Sequence, residues 1–224
     1  PWIDENNVEK VVKRFVSPQA EDTWHMNKQL FDWLFGEGVS VMQDLGSGNK
    51  NQTLKLFDFE DVTKNDFVVT NQFTVTNANG TIIPDITIFV NGIPLVVVEC
   101  KSPKLAPSKQ LTEAYKQMDR YLRVNERLFW YNQILILTSR DRAKTATLFT
   151  PAKHYNVWKD PYPLTLGEVG SDYPQDILVA GMLRKEALMD LINNFIVFDG
   201  KAKKLARYQQ YRAVNKTLDR ILEG

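Results

Sequence analysis

The apolar positions of this chain change their period along its length. Over the first forty residues they recur at helical spacing: Val8, Val11, Val12, Phe15 and Val16 form one run, which Ser17-Pro18 stops. A second helix is expected over residues 22–35, with Trp24, Leu30, Phe31, Trp33 and Leu34 as its apolar positions and Gly36 and Gly38 beyond its end. From residue 66 the period falls to two. Residues 66–78, rich in Val, Phe and Thr, read as a strand; Asn79-Gly80 reads as a hairpin turn, and residues 81–90 as the second strand. Asn91-Gly92 is a further turn, and residues 93–101 are a third strand whose Val96-Val97-Val98 run suits burial on both faces.

A proline-broken loop at 102–108 leads into a helix reaching about residue 127, capped by Ser108, with Leu111, Tyr115, Met118 and Leu122 as its core stripe. Residues 133–139 read as a fourth strand. Residues 140–174 carry little pattern, and two helices, over 175–195 and 203–222, close the chain. This order predicts an α/β fold with a mixed sheet of about four or five strands flanked by helices. It divides the chain into a helical segment at 1–40, a core at 41–174 and a helical stretch at 175–224.

Composition narrows the class. With 224 residues, 43% of them hydrophobic and 25% charged, the chain can build a core without covalent staples. The single cysteine, Cys100, forms no intrachain disulfide, and a reducing, cytoplasmic setting is expected. The longest apolar runs, 95–98 and 134–137, are strand-sized, so no membrane partner is expected. The opening PWIDENN is no signal peptide, and its Pro start suggests a fragment or processed piece. Net charge is +1, which neither requires nor excludes nucleic acid. Residues 184–220 hold nine Lys/Arg against four Asp/Glu, which suits either phosphate contact or a solvated helical face.

The chemistry concentrates around the second and third strands. Pro84-Asp85 lies in one, and Glu99-Cys100-Lys101 ends the other. Glu99 and Lys101 are two apart, so they share a face, and Cys100 points away as a small buried group. Strand-end acids and lysines commonly just face water, but Glu99 follows five apolar residues in a strand that reads as buried. A charge there needs a cation or hydrogen bonds to offset its desolvation. Two carboxylates, Asp85 and Glu99, suit a hard divalent cation, Mg²⁺ or Mn²⁺, and Lys101 could orient an attacking water or steady phosphate charge. Gln117 and Tyr121, four apart, share a face of the following helix at the border of its core stripe. His25 and His154 have no ligand spacing around them, and Gly46–Lys50 (GSGNK) lacks the spacing of a phosphate loop and reads as a surface loop.

Together Pro84-Asp85, Glu99-Cys100-Lys101, Gln117 and Tyr121 resemble the PD-(D/E)xK nuclease superfamily, in its subgroup with a trailing QxxxY helix. The stretches LFDFEDVTKNDFVVTNQFTV (56–75) and PDITIFVNGIPLVVVECKSP (84–103) resemble the nuclease domain of the motor (R) subunit of type I restriction enzymes. ARYQQYRAVNK (206–216) resembles the stretch before that subunit's ATP-dependent motor.

The resemblance implies a restriction-endonuclease-like core and cleavage of double-stranded DNA. It makes Asp85 and Glu99 the metal ligands and Lys101, Gln117 and Tyr121 catalytic partners. Methyltransferase and specificity subunits would be the partners, and ATP would enter only through motor domains that this chain does not carry. The superfamily often adds an acid from the amino-terminal helices; Glu9 and Glu21 are available, and nothing selects either. The alternatives are a recombination or repair nuclease of the same superfamily and a catalytically inactive DNA-binding or docking domain.

The site makes a demand on strand register. A two-residue Asn91-Gly92 turn pairs Val90 with Ile93, and regular pairing (90 + 93 = 183) then sets Asp85 opposite Val98, with Glu99 on the other face. An even sum is required. Either a three-residue loop, 90–92, pairing Phe89 with Ile93, or a bulge elsewhere in the hairpin would supply it, and Pro94, which cannot donate a ladder bond, suits an irregularity near the turn.

Overall fold

The computed structural model describes residues 3–223. Eighteen regular elements follow one another. Helices α1 (Glu5–Val16) and α2 (Thr23–Phe31), the latter running on into a wide π-type turn, precede the hairpin β1 (Val39–Asp44) and β2 (Asn49–Leu54). Then come β3 (Phe67–Asn71), β4 (Val75–Asn77), β5 (Gly80–Ile82), β6 (Ile86–Val90), β7 (Ile93–Cys100), α3 (Pro107–Val124), β8 (Ile134–Thr138) and β9 (Ala143–Ala146). A short α4 (Leu166–Val169), α5 (Pro174–Met182), α6 (Lys185–Asn194), the hairpin β10 (Ile196–Asp199) and β11 (Ala202–Leu205), and α7 (Tyr208–Leu222) complete the chain.

The central sheet has five strands in the order β3-β6-β7-β8-β9. The β7–β8 pair is parallel, joined over α3, and the other pairs are antiparallel. Alternation along β7 divides two cores. Val97, with Leu135 and Leu137 of β8, packs under Ala114, Met118 and Tyr121 of α3. Val96 and Val98, with Ile134 and Ile136, pack on the opposite face against residues from α1, α2, α5, α6 and α7. Residues from all three expected segments therefore meet in one cluster. The expected α/β class and mixed sheet are present, with five strands and helices on both faces.

Several expectations need correction. The strand expected over 66–78 is two, because the chain turns at Gln72 (φ 50°), whose N–H donates to the Asp85 carbonyl. The strand over 81–90 likewise breaks ahead of Pro84, into β5 and β6. The first hairpin turn is Ala78-Asn79 rather than Asn79-Gly80, since Asn77 pairs with Gly80. In α1 only Asn7, Val11 and Phe15 are buried, and Val8, Val12 and Val16 are exposed.

Helix α3 starts at Pro107 without a side-chain cap, so Ser108 does not cap it. Its buried residues are Gln110, Ala114, Met118 and Tyr121; the expected stripe is rotated by about one residue, leaving Leu111, Tyr115 and Leu122 at its margin. The hairpin β1–β2 and strand β9 went unread, and the single helix expected over 175–195 is two. The stretch expected as wholly helical from residue 203 begins with β11. Among the described residues no helix is long and apolar enough to cross a membrane.

Candidate active site

The hairpin β6–β7 sets the site. Its turn is the two-residue Asn91-Gly92, both with positive φ (50° and 78°), so Val90 pairs with Ile93. The three-residue loop is thus not the one used. The register changes one step later: Phe89 pairs with Pro94 but Ile88 with Val96, leaving Leu95 as the extra residue of a bulge. The Leu95 carbonyl turns to the loop before β8, accepting from the Gln133 N–H at 2.7 Å and from Asn132 Nδ2 at 3.2 Å. Beyond the bulge the sum is even (86 + 98 = 184), and one step further Asp85 stands opposite Glu99. The register requirement is met.

The side chains converge there. Glu99 is fully buried. Its Oε1 accepts from Lys101 Nζ, and its Oε2, also buried, has no hydrogen-bond partner among the described residues. Burial, opposed by Lys101 and reinforced by the nearby Asp85 charge, pushes the Glu99 carboxyl up to about 7. Asp85 Oδ2 accepts from the Cys100 N–H at 2.7 Å, which holds Asp85 across the strand end. Lys101 Nζ also donates to Gln117 Oε1 at 2.8 Å and to the Cys100 carbonyl at 3.3 Å. Gln117 Nε2 donates to the Tyr121 hydroxyl at 2.5 Å, and Tyr121 Oη donates to the Ile83 carbonyl at 2.7 Å.

The chain of contacts runs from Glu99 through Lys101, Gln117 and Tyr121 back to the backbone two residues before Asp85. All five expected site residues therefore lie in one network. Cys100 packs toward the other face, and burial raises its thiol to about 11, as suits an unreactive thiol.

Two residues of this neighbourhood escaped the sequence reading. Gln110, nearly fully buried, donates to the carbonyls of Pro103 and Leu105 and accepts from Ser139 Oγ at 2.6 Å. It fastens the loop after Lys101 to the end of β8. Both are buried polar groups in an amphipathic pattern, and alternation alone gave no signal for them.

The donor set fits a hard divalent cation. Such a cation accepts one or two carboxylates, with water and substrate oxygens filling the rest. Glu99 Oε2 is a buried acceptor that nothing among the described residues satisfies, and Asp85 stands opposite Glu99 on the neighbouring strand. A closed protein cage is not what these residues make: no group of three or more His, Cys, Asp or Glu positioned for a metal occurs among the described residues. Glu9 and Glu21 are both exposed and join no such group.

A mixed five-stranded sheet with an acid pair and a lysine at one strand end, braced by a helix on one face, defines a restriction-endonuclease-like fold. Comparison with known families gives the particular case: residues 3–154 match the family described as "Type I restriction enzyme R protein N terminus", and the chain belongs to that family. It is 35% identical over 227 residues to the Type I restriction enzyme HindI endonuclease subunit of Haemophilus influenzae, covering 98% of this chain and 21% of that protein. It is 30% identical over 242 residues to the putative type I restriction enzyme MjaIXP endonuclease subunit of Methanocaldococcus jannaschii, covering 100% of this chain and 23% of that protein. The chain thus spans about a fifth of the length of these relatives.

Proposed function

We propose that this chain is the DNA-cleaving module of a type I restriction motor subunit, hydrolysing phosphodiester bonds of double-stranded DNA with Mg²⁺ or Mn²⁺. The observation that carries the reading is the bulged register, which sets Asp85 opposite Glu99 while Lys101 spans from Glu99 to Gln117. Asp85 and Glu99 would hold the cation. When bound, that cation supplies a Lewis acid that offsets charge developing on the phosphodiester and eases deprotonation of a water.

The protein's own groups do the rest. Glu99 must be ionised, and Lys101 compensates that buried charge from one side. Lys101 carries its ammonium at the site mouth, where it can orient the attacking water or stabilise the phosphate oxygens. Gln117 fixes the Lys101 head group, and Tyr121 fixes Gln117, so each restricts the next to one position. In this reading the methyltransferase and specificity subunits of a restriction complex are the partners, and ATP acts only through motor domains outside this chain.

Titration calorimetry with Mn²⁺ and Mg²⁺ tests the reading. The wild-type protein should bind, and Asp85→Ala and Glu99→Ala should each lose that binding. A docking domain that merely keeps the fold would give no heat in any of the three.

A further inference from the structure

The turn between β8 and β9 lies one strand over from the catalytic end of β7. The Lys101 N–H donates to the Thr138 carbonyl at 2.8 Å, and Arg140 follows two residues on. Arg140 has φ 65°, in the left-handed region that side chains other than glycine, asparagine and aspartate avoid. It is nevertheless clamped. Its N–H donates to Gln175 Oε1 at 3.1 Å, and its carbonyl accepts the Gln175 N–H at 3.2 Å. The same Gln175 Oε1 accepts from Thr138 Oγ1 at 2.9 Å, which ties the clamp to the strand end beside Cys100.

The side chain is held as firmly as the backbone. The guanidinium lies 3.9 Å from the centroid of the Tyr173 ring and donates to the Tyr173 hydroxyl. That hydroxyl is its only protein acceptor among the described residues, and Arg140 forms no ion pair there. Arg123 and Arg212, by contrast, pair with Asp119 and Asp160. Asp141 and Asp172, next in the chain to Arg140 and Tyr173, are not within ion-pair distance of it. The turn would form more easily with glycine. What the turn does not explain is an exposed guanidinium, fixed in place, with its charge and most of its N–H donors unused.

We propose that Arg140 binds a DNA backbone phosphate beside the one that is cleaved, aligning the strand across the end of β7 and β8. The proposal rests on the nuclease reading. A guanidinium presents a planar fork of donors that matches phosphate, and stacking on Tyr173 removes the flexibility an exposed arginine would otherwise lose on binding. Arg140 acts as a positioning residue, and it touches neither Asp85 nor Glu99.

The test is binding of a fluorescently labelled, non-specific duplex, followed by anisotropy across a KCl series with Ca²⁺ in place of Mg²⁺. Arg140→Gly should weaken binding about 5–10-fold and make the slope of log K against log[salt] shallower by about 0.9, one phosphate contact. The same substitution should leave the thermal midpoint unchanged or raise it, since glycine relieves the strained φ. Arg140→Lys, which keeps a point charge without the fork, should keep the slope and lose about 2–3-fold in affinity. Should Arg140→Gly fail to fold, Arg140→Gln carries the same binding expectation. Wild-type affinity and slope in the glycine or glutamine variant would overturn the proposal. If Asp85→Ala abolishes cleavage while Arg140→Gly binds as wild type, only the Arg140 assignment falls. If the wild-type protein shows no salt-dependent duplex binding, the nuclease reading falls with it.

Discussion

Glu99 is the residue on which stability and chemistry pull in opposite directions. Its carboxyl is pushed from 4.5 to about 7 by burial. In the metal-free protein the folded state keeps a proton that the unfolded state gives up above pH 4.5, so this group makes stability fall as pH rises from about 4.5 to about 7. Glu99→Gln removes that penalty. It should stabilise the metal-free protein by about 1–3 kcal/mol at pH 8, read by urea denaturation, and abolish cation binding. For the wild type, cation affinity should rise with pH through about 7 as the carboxylate forms, and a calorimetric series over pH 6–8 checks this.

Gln117 and Tyr121 play a different part, because they reach Lys101 and a backbone carbonyl rather than the carboxylates. Gln117→Ala and Tyr121→Phe should leave cation affinity nearly unchanged and slow cleavage by about 10–100-fold, seen in single-turnover rates. A loss of affinity matching that of Asp85→Ala would make them part of the cation's shell. The residue types of this site were legible in the sequence, since a glutamate after five apolar residues demands a partner. The bonds that hold the carboxylates were not, because the orphaned Oε2 and the Cys100 N–H that holds Asp85 depend on how strands meet.

Legibility at the scale of elements follows the same line. Parity alone shows that β6 and β7 need an even sum for Asp85 and Glu99 to share a face. Which device supplies it depended on a loop 37 residues further along the chain, whose Asn132 reaches the Leu95 carbonyl. The β10–β11 hairpin is hard to read because the Lys-rich stretch after Gly200 suits a solvated helix, although Asp199-Gly200, directly after the apolar run 195–198, is a usable turn signal. Lys203 explains the misreading. It is buried, and its Nζ donates to Asn27 Oδ1, the Asn132 carbonyl and Gln133 Oε1, with no carboxylate in the set. Burial pushes its ammonium well below the usual lysine range. The hairpin is therefore fastened to the same loop that holds the bulge. Lys203→Met should destabilise the protein by about 2–4 kcal/mol in urea denaturation, because the buried Asn27 Oδ1 and Gln133 Oε1 lose their donor and the Asn132 carbonyl keeps only Asn27 Nδ2. A change within about 0.5 kcal/mol would show that the hairpin is not part of the core's support.

At the scale of the whole molecule, helices from both ends of the chain cover one face of the sheet, and α3 covers the other. The end of β7 that carries the candidate site, and the neighbouring end of β8, are left at the rim, with Lys101 partly exposed there. On the proposed reading, a module that spans about a fifth of its relatives' length thus holds both carboxylates and the lysine of the cleavage site by itself. The most direct measurement of that claim is plasmid cleavage by the assembled restriction complex carrying Asp85→Ala in this module, with ATP hydrolysis followed in the same reactions. The account predicts that cleavage is lost and ATP hydrolysis persists; cleavage at the wild-type rate would contradict it.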